Sequence, residues 1–189
     1  MATTKLDAIA LLKADHRTVE DLFKRFEKAG DGARKTKRAI VDSIIEELSV
    51  HASIEEMVFY PAVRREVSDA DSDVLEALEE HHVAKWLLWE LEDLNPADER
   101  FDAKVTVLIE NVRHHVKEEE EELFPTVREE LGRTRLRELG AELAAAKRTA
   151  PTRPHPTVPD EPPGNTIVGG AVAVMDRART VGKRVVASR

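Results

Sequence analysis

"HASIEEMVFYP" occupies residues 51–61 and "HVKEEEEELFP" residues 115–125. Each stretch opens on a histidine, carries glutamate at its fifth and sixth places, and runs through apolar residues into proline. A glutamate run ordinarily marks a solvated helix face. That reading leaves the repeated grammar H-x-x-x-E-E, apolar, P unexplained. On a helix, residues i and i+4 share a face, so His51 pairs with Glu55 and His115 with Glu119.

A second pair of stretches repeats at nearly the same interval, 65 residues against 64. "DHRTVEDLFKRF" (15–26) matches "EHHVAKWLLWEL" (80–91): an acid, a histidine, then apolar residues three, six, seven and ten positions on. His81 keeps that register; His82 would turn Lys85 and Glu92 inward. The chain therefore reads as two copies of a helical hairpin. Helical patterns cover residues 4–29, 36–67, 71–94 and 96–131. Gly30 and Gly32 break the first, Pro61 loosens the second, and Asn95-Pro96 signals the start of the fourth. Gly132 suits its stop, and residues 134–147 read as a shorter fifth helix.

The architecture expected is all-α: an antiparallel up-down four-helix bundle over residues 1–132, a short extra helix over 133–149, and a Pro-rich C-terminal tail over 150–189. Six prolines in residues 150–164 read as an extended linker. Val174, Ala178, Val181 and Val185 then recur at helical spacing among basic residues. The tail is either disordered or a weak amphipathic helix for a protein partner, an anionic surface or the bundle itself.

Each of the four long patterns interrupts its apolar stripe with one histidine near its middle: His16, His51, His81 and His115. In an antiparallel bundle the middles meet at one level, so four imidazoles and the carboxylates of Glu55 and Glu119 converge in the core. Two buried carboxylates demand protons or a metal. Six N/O donors without thiolate suit iron or manganese. Two carboxylates among four histidines suit two metals, each keeping two imidazoles, whereas a single zinc ion leaves donors over. His82 and His114 fall on the outer face.

Composition narrows the classes further. The chain has no cysteine, which removes disulfides, thiolate metal sites and cysteine nucleophiles. Of the net charge of −8, residues 151–189 carry +3 and residues 1–150 carry −11, which argues against nucleic acid as the main partner. The N-terminal apolar run contains Asp7 and Lys13 and does not read as a signal peptide. No run reaches transmembrane length, and a cytoplasmic protein is expected.

Ferritin-like bundles use two Glu-x-x-His motifs; only Glu79/His82 is available here. The four motifs "LLKADHRTVEDLF", "HASIEEMVFYP", "EEHHVAKWLLWELEDL" and "HHVKEEEEELFP" instead resemble the hemerythrin family, in its bacterial HHE cation-binding branch, over about residues 5–131. The resemblance implies a non-haem di-iron centre with an oxo or hydroxo bridge; manganese and zinc rank behind iron. It implies that His16 and His51 hold one iron, His81 and His115 the other, and that Glu55 and Glu119 bridge them. The family's oxygen carriers have a further histidine where this chain has Lys85. Their last carboxylate stands five residues after its histidine, where this chain has Glu120. Glu119 is preferred because it repeats Glu55; Glu56, Glu120 and Lys85 are candidates for vacant positions or for support of the ligands.

With four histidines, reversible oxygen carriage gives ground to reaction with dioxygen, peroxide or nitric oxide. Peroxide consumption or another oxidoreductase activity is one form of this, with no catalytic group assigned. The competing reading is an iron- or oxygen-responsive regulatory module whose metal is structural or sensory. A nitric-oxide or iron–sulfur repair role ranks third, because relatives of that type carry an N-terminal cysteine.

Overall fold

The computed structural model describes residues 6–162, Gly164 and Asp176. Among these residues there is no strand. The helices are α1 (Ala8–Lys28), α2 (Arg34–Ile54), α3 (Tyr60–Glu66), α4 (Asp71–Asp93), α5 (Phe101–Glu118) and α6 (Phe124–Lys147). Two five-residue π-helical segments, Glu55–Phe59 and Glu119–Leu123, splice α2 to α3 and α5 to α6. The result is four antiparallel rods: α1, residues 34–66, α4, and residues 101–131. No helix of the described residues is long and apolar enough to cross a membrane.

The π segments explain how the repeated motif works. The Tyr60 N–H bonds to the Glu55 carbonyl and the Phe124 N–H to the Glu119 carbonyl, each five residues back. A π turn advances less per residue than an α turn, so residues i, i+4 and i+5 crowd onto one face. Glu55, Phe59 and Tyr60 are all buried, as are Glu119, Leu123 and Phe124. In an unbroken α-helix the residue five places on points roughly 140° away. Pro61 and Pro125, which have no N–H to give, follow each segment. Helical spacing places the loosening at Pro61; the structure places it in the turn before.

Other boundaries follow local chemistry. Asp7 caps α1 by accepting from the Ala10 N–H at 2.8 Å. Arg38 reaches across from α2 to the carbonyls of Leu91 and Leu94 and satisfies the end of α4. The fourth rod begins at Phe101 rather than Pro96. Asn95 spends its cap on a turn, accepting from the Ala97 N–H, and Asp98 accepts from Arg100. Gly132, with φ 68° and ψ 173°, bends α6, so residues 133–147 leave the fourth rod.

That bent segment seats Leu136, Leu139 and Leu143 against Ala8, Ile9 and Leu12 of α1. Arg135 grips both oxygens of Glu66 on α3 at 2.8 and 3.1 Å. The close approach depends on Gly140: a Cβ there would stand 2.5 Å from the Leu6 carbonyl oxygen and 2.9 Å from the Ala8 nitrogen. Gly→Ala inside a helix normally stabilises it. Here the clash is with backbone, so Gly140→Ala is expected to destabilise by about 1–3 kcal/mol. Thermal unfolding checks this; an unchanged or raised midpoint would remove the close contact as a constraint.

Residues 150–162 lie along the bundle. Ala150, Pro154 and Pro156 are buried, Arg153 pairs with Glu92, and Glu161 pairs with Arg64 at 2.5 Å. The amphipathic pattern over 174–185 falls outside the described residues apart from Asp176.

The apolar core comes in two blocks. One gathers Ile9, Leu12, Phe59, Tyr60, Phe124 and Val127 with the bent segment. The other gathers Phe23, Ile44, Leu88, Leu91, Phe101 and Leu108. Between them lies a polar layer.

Candidate metal centre

The polar layer contains His16, His51, Glu55, His81, His115 and Glu119, each 5% exposed or less. One residue comes from α1, one from α4, and a histidine with the first glutamate of a π segment from each spliced rod. The imidazoles stand in two pairs. His16 Nε2 and His51 Nε2 are 3.2 Å apart, and His81 Nε2 and His115 Nε2 are 3.1 Å apart. Each carboxylate reaches both pairs: Glu55 Oε2 lies 3.1 Å from His51 Nε2 and 3.5 Å from His81 Nε2. Glu119 Oε2 lies 3.2 Å from His16 Nε2 and 3.6 Å from His115 Nε2.

The outer faces of the rings are equally ordered. His16 Nδ1 meets Glu120 at 2.9 Å, and His81 Nδ1 meets Glu56 at 3.1 Å. His115 Nδ1 meets Glu80 at 2.8 Å, and His51 Nδ1 faces Asp15 at 3.8 Å. Exchanging the two hairpins maps every one of these contacts onto another. A carboxylate on the far nitrogen of a histidine fixes its tautomer and aims the other nitrogen.

Glu56 and Glu120 thus stand outside the ring pairs, on Nδ1. Lys85 also turns outward, with Nζ 2.8 and 3.0 Å from the Glu56 oxygens and against Asp160. It does not join the imidazole nitrogens. Asp15 and Glu80 were missed as parts of the site, although each immediately precedes one of the repeated histidines. Tyr60, also missed, donates its O–H to Glu119 Oε1 at 2.9 Å. Its counterpart Phe124 stacks on His16, with centroids 5.8 Å apart. His82 accepts from the Trp86 indole N–H, and His114 is largely exposed.

Electrostatics show how the layer bears its own burial. Burial, then the neighbouring Glu119 charge, raises Glu55 well above the ordinary carboxylate range. Burial acts to raise Glu119 as well, but His115, His16 and His51 outweigh it and hold it ionised. Burial lowers His51 to about 4 and, with the charge of His115, lowers His81 well below 6.5. Burial also pushes Glu56 up to about 7 against the pull of Lys85.

Both Glu55 oxygens and Glu119 Oε2 are buried without a hydrogen-bond donor. Oxygens left this way cost free energy unless a cation or proton takes their lone pairs. The ligand atoms of His16, His51, Glu55 and Glu119 lie within 4.8 Å of one another, as do those of Glu55, His81 and His115. Four imidazoles and two carboxylates form a donor set that fits non-thiolate transition metals. On the side toward Phe23 and Leu88, the histidines border a cavity of about 30 Å³, walled by Val19, Leu48, Ala84, Leu88, Val112 and Val116. It is the size of one or two water-sized molecules.

Comparison with known proteins agrees with this arrangement. The family described as the hemerythrin HHE cation binding domain matches residues 7–127. An uncharacterized hemerythrin-like protein of Schizosaccharomyces pombe is 25% identical over 166 residues, which cover 87% of this chain and 81% of that protein. A DNA nickase of Nostoc sp. is 29% identical over 137 residues, 72% of this chain but 38% of the nickase. The crystal structure of a hemerythrin HHE cation binding domain-containing protein from Mycobacterium kansasii superposes with a TM-score of 0.65. That match, at 24% identity, covers 76% of this chain and 86% of that one.

Proposed function

The chain belongs to the hemerythrin family through its HHE cation-binding domain, and from that premise we propose that it holds two non-haem iron ions and reacts with a small oxidant. In this reading His16 and His51 hold one ion, His81 and His115 the other, and Glu55 and Glu119 span both. The observation that carries it is the internal two-fold: two imidazole pairs, each touched by both buried carboxylates. Iron held there would supply one-electron chemistry and positions open to ligand.

The remaining roles belong to the protein. Asp15, Glu56, Glu80 and Glu120 orient the rings. Tyr60 holds Glu119 Oε1 through its O–H, which burial keeps protonated. The apolar cavity has room for a molecule of two heavy atoms, such as dioxygen, peroxide or nitric oxide. Cleavage of DNA is attached to a relative of which this chain spans 38%, and an acidic body of net charge −11 repels a phosphate backbone.

A regulatory reading has its own support. A polar chain runs from the Pro-rich segment into the centre: Asp160 to Lys85, Lys85 to Glu56, Glu56 to His81. A change of charge at the centre could thereby be felt by residues 150–162.

Protein purified from iron-replete cells decides between them. About two irons per chain are expected, with near-ultraviolet absorption that changes on adding peroxide or dioxygen and is lost in His51→Ala. Fewer than about one iron per chain would end the di-iron reading. Peroxide turnover favours the oxidant chemistry; full iron without turnover, joined to oxidant-dependent proteolysis of the tail, favours regulation.

A further inference from the structure

Next to the buried centre, α4 and the fourth rod enclose a second hollow of about 70 Å³ that opens to solvent. Its mouth is lined by Asp73, Glu76, Glu80, Glu118 and Glu122, with no lysine or arginine among its lining residues. Its inner end reaches His115 and Glu119. Glu119 is 2% exposed, and its Oε2 has no hydrogen-bond donor. The hollow therefore leads from a field of negative charge to the buried carboxylate of Glu119, whose Oε2 lies 3.2 Å from His16 Nε2 in the centre.

At its rim, His114 Nε2 lies 3.2 Å from Glu118 Oε1 and 3.6 Å from Glu80 Oε1. The ligand atoms of Glu80, His114 and Glu118 fall within 4.8 Å of one another. Glu80 faces both ways: Oε1 toward exposed His114, and Oε2 to Nδ1 of buried His115 at 2.8 Å. His114 belongs to none of the contacts that the two-fold relates. A helical i,i+4 pair accounts for His114 with Glu118, but not for a third donor from α4 or for the charged hollow behind them.

We infer that Glu80, His114 and Glu118 form an outer site for a divalent cation, which passes through the acidic hollow to the buried centre. The inward step rests on the di-iron reading; the outer site does not. One imidazole and two carboxylates make a borderline N/O site suited to Fe²⁺, Mn²⁺ or Zn²⁺. Partial exposure keeps it weak, as a transfer site must be. A cleft lined by one sign of charge raises the arrival rate of counter-ions roughly tenfold or more.

The test compares the full chain with His114→Ala/Glu118→Gln, whose side chains are exposed enough to spare the fold. Iron-loaded wild type, titrated with Mn²⁺ and followed by electron paramagnetic resonance, is expected to bind one further, weaker ion that the double variant does not. The variant's final iron content stays at the wild-type level, while Fe²⁺ uptake by the metal-free protein slows roughly tenfold or more. An unchanged Mn²⁺ titration overturns the outer site, and an unchanged uptake rate overturns the transfer. Wild type that binds Mn²⁺ outside but takes up no iron inside leaves the outer site standing and removes the di-iron reading instead.

Discussion

Replacing Glu55 and Glu119 together by glutamine is expected to abolish metal loading at the buried centre and leave a folded bundle whose melting no longer responds to chelators. Each carboxylate touches both imidazole pairs, so the exchange removes what joins them while preserving side-chain shape. In wild type, metal that binds only the folded chain at a thousandfold excess over its dissociation constant stabilises it by about 4 kcal/mol. For a chain of this size that raises the melting midpoint by roughly 8–16 °C. The variant should show no such gap.

The metal-free proteins should differ little. Glu55 already carries a proton there, because burial and Glu119 raise it; its amide replacement resembles that neutral acid. The amide that replaces the Glu119 carboxylate can still accept from the Tyr60 O–H through its carbonyl oxygen. Losing the Glu119 charge does not strand a cation either, since His115 can release its proton to solvent on folding. The comparison is thermal unfolding with and without chelator. A wild-type midpoint that ignores chelator, or a double variant that still loads iron at the buried centre, would show that these carboxylates are not the bridge.

How much of this was legible in the sequence depends on whether local spacing or tertiary packing decides it. The four histidines and two glutamates could be placed because a buried polar residue interrupts an otherwise apolar helical stripe, and helical spacing carries that interruption to a common level. The acids behind the histidines were half legible: Asp15 and Glu80 each precede a repeated histidine, but each serves the histidine of the next rod, His51 or His115. Only packing shows that crossing. The π segments were hidden because α spacing was assumed throughout; two inward apolar residues four and five places after each glutamate, then proline, were the available signal. Asn95-Pro96 misled because the same side-chain cap serves a turn as well as a helix. Lys85 could be read only as a candidate support for the ligands, and residues 150–162 only as an extended linker, since their partners, Glu56 and Asp160 among them, lie far apart in the chain.

Metal affinity should climb steeply with pH on the acid side of neutrality, and the buried charges give the slope. Metal binds deprotonated ligands, so every proton held by the metal-free centre must leave on loading. His51, lowered to about 4, and His81, lowered well below 6.5, are already neutral. Glu119 is held ionised. Two of the groups with displaced pKa values do hold protons. Burial works to lower His115, but Glu119 and Glu80 outweigh it and raise its pKa above 6.5; Glu55 is raised well above 4.5. Raised folded pKa values mean that protons compete with metal up to those values and cease to compete beyond them. Affinity therefore rises as pH rises through the two pKa values and levels off above both. Release of one proton makes the slope about tenfold per pH unit, and release of both about a hundredfold. At pH 6.5 the His115 proton is still more than half in place; below the raised pKa of Glu55, and above about 4 where His51 begins to charge, both groups contribute. Calorimetry of Zn²⁺ binding in two buffers of different ionisation enthalpy counts the released protons directly. Binding that releases none between about pH 5 and 6.5 would contradict the assignment. Glu80→Gln sharpens the test: with its carboxylate removed from Nδ1, His115 loses part of what holds its proton, so less proton should be released and the pH dependence should flatten on the His115 step alone.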